Sequence, residues 1–173
     1  MKLNLGCGTD IRPDYVNVDG SYNTLLATSP SMVIHDLNEF PWPFPDNSAD
    51  EILMWHVLEH LPDTYKVIME IKRILKPGGK FWGQVPYGPS HDGRTHWHHC
   101  RFFVARSFEP LATETGMTCQ KAKNGTHSLT WRHKVRNLVP FRETLALAGW
   151  SEAFDVVDFE IIKPNTVPAK VSG

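Results

Sequence analysis

Lys2-Leu3-Asn4-Leu5-Gly6-Cys7-Gly8 and, six residues further on, Tyr15-Val16-Asn17-Val18-Asp19 decide how this chain is read. The first four residues form a short buried strand that runs directly into a glycine turn. Glycine lets the backbone reverse sharply and approach a ligand with no Cβ in the way. The second stretch is another strand, and it closes on an acid. In open α/β sheets ligands bind outside the carboxyl ends of the strands, and Gly6-Cys7-Gly8 and Asp19 both fall there.

Outward from this pair, Met32-Val33-Ile34-His35-Asp36 is a third strand ending in an acid, and Ser21 to Ser29 has room for a short helix. The proline-rich run Phe40 to Asp46 is a loop, because proline donates nothing to a strand ladder. Asp50 to Trp55 is a fourth strand. From about Asp63 to Leu75 the apolar residues recur at helical spacing, with Lys72, Arg73 and Lys76 suited to the carboxyl end and Pro77-Gly78-Gly79 as the stop. Phe81 to Val85 is a fifth strand, followed by a histidine-rich loop and a helix from about Arg106 to Thr115 that Gly116 closes. Two further strands are expected at about 118–123 and 154–162, with a helical insert at about 127–150 between them. The fold class is therefore α/β: a Rossmann-like, mostly parallel seven-stranded sheet with a late antiparallel strand, truncated at its amino-terminal side, with residues 1–173 forming a single domain.

A chain of 173 residues with 41% hydrophobic content suits one core. No apolar run reaches the ~18 residues that span a bilayer, and no signal-peptide order opens the chain, so no membrane and a cytoplasmic location are expected. Cys7, Cys100 and Cys119 are widely spaced and give neither a disulfide framework nor a cysteine zinc knuckle. Net charge is only −1, yet residues 1–70 hold 3 Lys/Arg against 11 Asp/Glu, and residues 71–173 hold 15 against 8. The basic half, including Lys121, Lys123, Arg132, Lys134, Arg136 and Arg142, is either a solvated face or an attractor for an anionic partner.

An acid closing the second strand can accept from two ribose hydroxyls at once. A dinucleotide pyrophosphate needs the amino terminus of a full helix, and Thr9 to Asp14 leaves no room for one. The third glycine of the dinucleotide pattern is missing as well. S-adenosylmethionine (SAM) carries a sulfonium and no phosphate, so it suits an acidic half that lacks this helix.

In order along the chain, Leu3 to Gly8, Tyr15 to Asp19, Phe44-Pro45-Asp46-Asn47-Ser48-Ala49-Asp50, His56-Val57-Leu58-Glu59-His60-Leu61 and Ile74-Leu75-Lys76-Pro77-Gly78-Gly79 resemble the type-11 group of class I SAM-dependent methyltransferases over about residues 3–116. The resemblance implies that the turn Leu5, Gly6, Cys7 and Gly8 contacts the amino-acid part of SAM. It further implies that Asp19 takes the ribose, that Asp36 and Leu37 flank the adenine, and that His56 lies beside the methyl-donor region. The larger members of that group carry helices before strand one, and their lid is expected here from a partner subunit or the 127–150 insert; a homo-oligomer is among the expected partners.

His56-Val57-Leu58-Glu59-His60 also matches the His-x-x-Glu-His zinc-peptidase pattern, but it straddles a strand end and Pro62 follows at once, so that reading is set aside. Glu59-His60 is similar to the Glu-His pair of metal-assisted O-methyltransferases, which would need further ligands from His96, His98 or His99. Capping and packing of the following helix is the preferred role for the pair, and no metal is assigned. His96 is the candidate general base, since histidine titrates near working pH and Thr95-His96 resembles the entry to the group's loop after strand five. Trp97, Trp131 and Trp150 line an acceptor pocket or pack the insert.

The expected activity is transfer of a methyl group from SAM, leaving S-adenosylhomocysteine, to an oxygen or nitrogen of a small acceptor. Phosphorylated sugars and nucleotides are the candidate anionic acceptors, with nucleic acid not favoured. The alternatives are a non-catalytic or partner-dependent module on the same fold, binding RNA or a protein, and an NAD-dependent oxidoreductase.

Overall fold

The computed structural model describes residues 1–20, 32–125 and 156–165. The strands are β1 (Lys2–Leu5), β2 (Val16–Asp19), β3 (Met32–Ile34), β4 (Ala49–Trp55), β5 (Leu75–Pro86), β6 (Thr118–Gly125) and β7 (Val156–Ile162). They form one sheet in the order β3-β2-β1-β4-β5-β7-β6, in which β7 is antiparallel to both its neighbours and the pairs from β3 to β5 are parallel. The expected late antiparallel strand is thus β7. The central strands β1 and β4 carry runs with almost no exposure (Leu3, Asn4, Leu5; Ile52, Leu53, Met54), as strands covered on both faces must.

The helices are α1 (Thr64–Ile74), α2 (His91–Thr95) and α3 (Phe108–Glu114), with 3-10 turns at Leu58–His60 and Ala105–Ser107. Asp63 starts α1 by accepting from the Lys66 N–H at 3.0 Å. Val67, Ile68, Ile71 and Ile74 form its buried stripe. The helix ends at Ile74, earlier than the Pro-Gly-Gly stop: Leu75 is already extended and pairs with Ala49, so Pro77 to Gly79 lie within β5. A register shift between Ala49 and Glu51 accommodates them. The histidine-rich segment after β5 is in part helical, because Ser90 caps α2 through the Gly93 N–H at 3.0 Å. The short helix expected at 21–29 and the insert at 127–150, with Trp131, Trp150 and the basic residues 132–142, lie outside the described residues. Among the described residues no helix is long and apolar enough to cross a membrane.

Parallel strands normally need a crossover of a dozen or more residues, often a helix. Here β1 and β2 are joined by residues 6–15 in turns alone. Two buried asparagines replace the missing helix. Asn4 Nδ2 donates to the Asp10 carbonyl at 2.7 Å and to Asn17 Oδ1 at 3.0 Å. Asn17 Oδ1 accepts from the Arg12 N–H at 3.0 Å, and its Nδ2 donates to the carbonyls of Arg12 and Tyr15 at 3.0 and 3.2 Å. The Asp10, Arg12 and Tyr15 carbonyls and the Arg12 N–H are thereby satisfied from within the sheet.

Candidate functional site

At the carboxyl end of β1 the N–H groups of Gly6 and Cys7 both donate to the Val18 carbonyl, at 2.8 and 3.0 Å, tying the glycine turn to β2. The Gly8 N–H donates to Asp19 Oδ2 at 2.6 Å. One carboxylate oxygen is thus fixed, and among the described residues no donor meets the other. Gly6 and Gly8 both have positive φ, +67° and +50°, but their surroundings differ. A Cβ on Gly6 would strike the side chain of Val57, whereas one on Gly8 would meet nothing within 4 Å. Among the described residues the side of Gly8 on which a Cβ would stand is open, and the Asp19 carboxylate lies beside it. Cys7 does not offer a thiolate there: burial first, and then the neighbouring Asp19 carboxylate, push its thiol up to about 11.

Asp36 is not at the end of β3, which stops at Ile34. It opens the next turn, with Oδ1 accepting from the N–H and Nδ2 of Asn38 at 2.9 and 3.0 Å. The His35 N–H still donates to the Asp19 carbonyl at 2.9 Å, so this turn remains beside β2. Leu37 is buried, and its carbonyl accepts from Trp42 Nε1 at 3.1 Å. The backbone N–H of Trp42 donates to Glu70 Oε1 at 2.7 Å, and Arg73 clasps Glu70, Asp46 and the carbonyls of Trp42 and Phe44. The proline-rich loop is held this way. Burial raises the pKa of Glu70, but hydrogen bonds from Arg73 and Trp42 outweigh it and leave the group lowered.

His56 follows β4 with φ +55°, a conformation non-glycine residues rarely adopt. The Gln84 side chain is fixed as an acceptor toward it: Gln84 Nε2 donates to Asp158 Oδ1 at 2.7 Å, so Oε1 faces His56 Nε2 at 3.1 Å and that nitrogen carries a proton. His56 Nδ1 lies 3.5 Å from Glu59 Oε1. Glu59 is 1% exposed, and neither carboxylate oxygen has a hydrogen-bond partner. It does not cap α1, since Asp63 does that; only its burial matches the packing role expected of it.

The segment after β5 docks on the same turn. The Glu59 carbonyl accepts from the N–H groups of Cys100 and Arg101 at 2.9 and 3.1 Å, and Arg101 Nε donates to the Pro62 carbonyl at 2.9 Å. His98 and His99 arrive beside His60, with ring centroids 4.6 and 4.8 Å from it. His96, at the end of α2, is exposed, and its ring centroid lies 5.0 Å from that of His99. Burial, which is the largest influence, lowers the pKa of His60; the Glu59 charge and the hydrogen bond to the His98 carbonyl oppose it, and the neighbouring His99 and His98 rings add to it. Trp97 is 93% exposed and packs into no core. The sequence reading missed Asn4, Asn17, Gln84 and Asp158; polar residues inside apolar strands were the available signal for the first three.

A glycine turn answering an acid across parallel strands is the arrangement expected of a Rossmann-like nucleoside-cofactor site. Residues 3–83 match the family model described as a methyltransferase domain, of the type-11 group. A probable S-adenosylmethionine-dependent methyltransferase of Mycolicibacterium smegmatis is 28% identical over 129 residues, 66% of this chain and 50% of the relative; the chain therefore spans half that relative's length. Among solved structures, the fold is similar to that of the methyltransferase in a complex with the Haloferax volcanii Trm112 methyltransferase activator (TM-score 0.71, 19% identity, 97% of this chain and 83% of that one). It is also similar to Haemonchus contortus phosphoethanolamine N-methyltransferase 2 in complex with SAM (TM-score 0.62, 18% identity, 94% of this chain and 48% of that one). Together these similarities support a class I SAM-dependent methyltransferase with SAM as its cofactor.

Proposed function

We propose that this chain transfers a methyl group from SAM to an oxygen or nitrogen of a small acceptor, with phosphorylated sugars and nucleotides as the anionic candidates. The observation that carries the proposal is the Gly8–Asp19 hydrogen bond beside open space. Bound SAM supplies an electrophilic methyl on a sulfonium. Leu5, Gly6, Cys7 and Gly8 hold the amino-acid part, Asp19 accepts from the ribose hydroxyls, and Asp36 with Leu37 bounds the adenine. His56, locked by Gln84, borders the donor region. His96, exposed at the end of α2, takes the acceptor's proton where the acceptor is a hydroxyl. The acidic first half favours the cationic cofactor and the basic second half favours an anionic acceptor. An NAD-dependent oxidoreductase is disfavoured because the 6–15 connection offers no helix terminus to a pyrophosphate.

A second reading, a partner-dependent module, draws on the similar Haloferax protein having been solved with an activator. The test is incubation with methyl-labelled SAM and an acceptor panel led by phosphorylated sugars, reading S-adenosylhomocysteine formation. Turnover that Asp19→Ala abolishes supports the proposal. SAM binding without turnover on any acceptor transfers the weight to the partner-dependent reading.

A further inference from the structure

We propose that His60, His98 and His99, together with the buried carboxylate of Glu59, bind a divalent transition ion of the zinc type. One ring nitrogen from each of the three histidines lies within 4.8 Å of the other two. The rings come from two distant segments fastened together by the Cys100 and Arg101 N–H groups on the Glu59 carbonyl and by the Arg101 side chain on the Pro62 carbonyl, so their meeting is built by the fold.

The tautomers suit ligation. His60 Nδ1 faces the His98 carbonyl at 3.4 Å, and His99 Nδ1 faces the Gly93 carbonyl at 3.2 Å. A carbonyl only accepts, so both Nδ1 atoms carry the proton and both Nε2 atoms keep a lone pair. Metal-binding histidines are prepared in this way.

Glu59 provides an independent observation. A buried carboxylate without hydrogen bonds is costly unless a cation compensates it. Its Oε1 lies 3.5 Å from His56 Nδ1 and 3.9 Å from His60 Nε2, so it sits between the donor-side histidine and the first ring of the cluster. A dication among the histidines gives this charge a partner.

The donor set selects the ion. Imidazole with one carboxylate suits Zn2+, Co2+ and Ni2+, whereas Mg2+ and Ca2+ demand oxygen. Zinc–nitrogen bonds of about 2.0 Å place tetrahedral ligands roughly 3.3 Å apart, so the rings must close inward. The exposed His98 has freedom to rotate. The bound ion ties the 3-10 turn at Leu58–His60 to the segment carrying His96.

The test is independent of SAM. Untagged full-length protein, stripped by chelator, is titrated with Co2+ while its visible d–d absorption is followed, and then with Zn2+ against a chromophoric chelator. One ion per chain is expected, with affinity reduced at least about 100-fold in His60→Ala and His98→Ala and unchanged in His35→Ala, a histidine on the β3 side. Glu59→Gln separates ligation from packing: its metal-free form melts higher than the wild type, while its zinc-induced rise in Tm is smaller. No one-to-one binding below about 100 μM, or binding that survives the His60→Ala/His98→Ala double variant, overturns the proposal.

Discussion

The two turn glycines should fail in different ways when each is replaced by alanine. At Gly6 a Cβ would lie 2.8 Å from Val57 Cγ1, closer still to Cγ2, and 3.2 Å from its Cβ, at φ +67°. The left-handed backbone costs an L-residue about 1–2 kcal/mol, and overpacking of the buried Val57 adds about 1–3. Gly6→Ala should therefore lose about 2–5 kcal/mol in urea unfolding. At Gly8 the new Cβ meets nothing within 4 Å, so only the backbone part applies, about 1 kcal/mol at φ +50°. That empty volume is where the cofactor is proposed to lie, so Gly8→Ala should lower S-adenosylhomocysteine affinity by more than tenfold while remaining folded. Gly6→Ala/Val57→Ala should recover the steric part of the Gly6 loss and keep the backbone part. Equal stability losses for the two variants, or full affinity in Gly8→Ala, would refute the division of labour.

Asn17→Ala leaves Asn4 Nδ2 with one partner fewer and the Arg12 N–H without its Asn17 acceptor, and should cost about 2–4 kcal/mol by urea unfolding, more than an exposed asparagine such as Asn38. Glu70 has a lowered pKa, so its contribution is fully present above the unfolded value and is lost as pH falls through the lower folded value. Wild-type stability should accordingly drop below about pH 4.3, with a shallower drop in Glu70→Gln, in melts recorded across pH. Burial raises the thiols of Cys7 and Cys119, so iodoacetamide at pH 8 should modify the exposed Cys100 first, as read by peptide mass spectrometry.

Much of the architecture was legible because the signals are local. Apolar runs broken by glycine and proline marked the strands, and Asp63 with a helical stripe marked α1. The start of β5 was not legible, since Leu75 joins the sheet through a bulge against Ala49 that a Pro-Gly-Gly run conceals. Asp36 reads as a strand end, but the Asn38 hydrogen bonds draw it into a turn. The meeting of His60 with His98 spans 38 residues and rests on the carbonyls of Glu59 and Pro62, which no spacing rule reports. Asn4 and Asn17 look like poor strand residues until the ten-residue connection, 6–15, is seen to need their hydrogen bonds.

The most direct test of the central claim is calorimetric titration of the purified chain with SAM, S-adenosylhomocysteine and NADH, repeated on Asp19→Ala. The account predicts micromolar binding of SAM and S-adenosylhomocysteine, none of NADH, and loss of binding in the variant. Tight NADH binding, or SAM binding indifferent to Asp19, would contradict it.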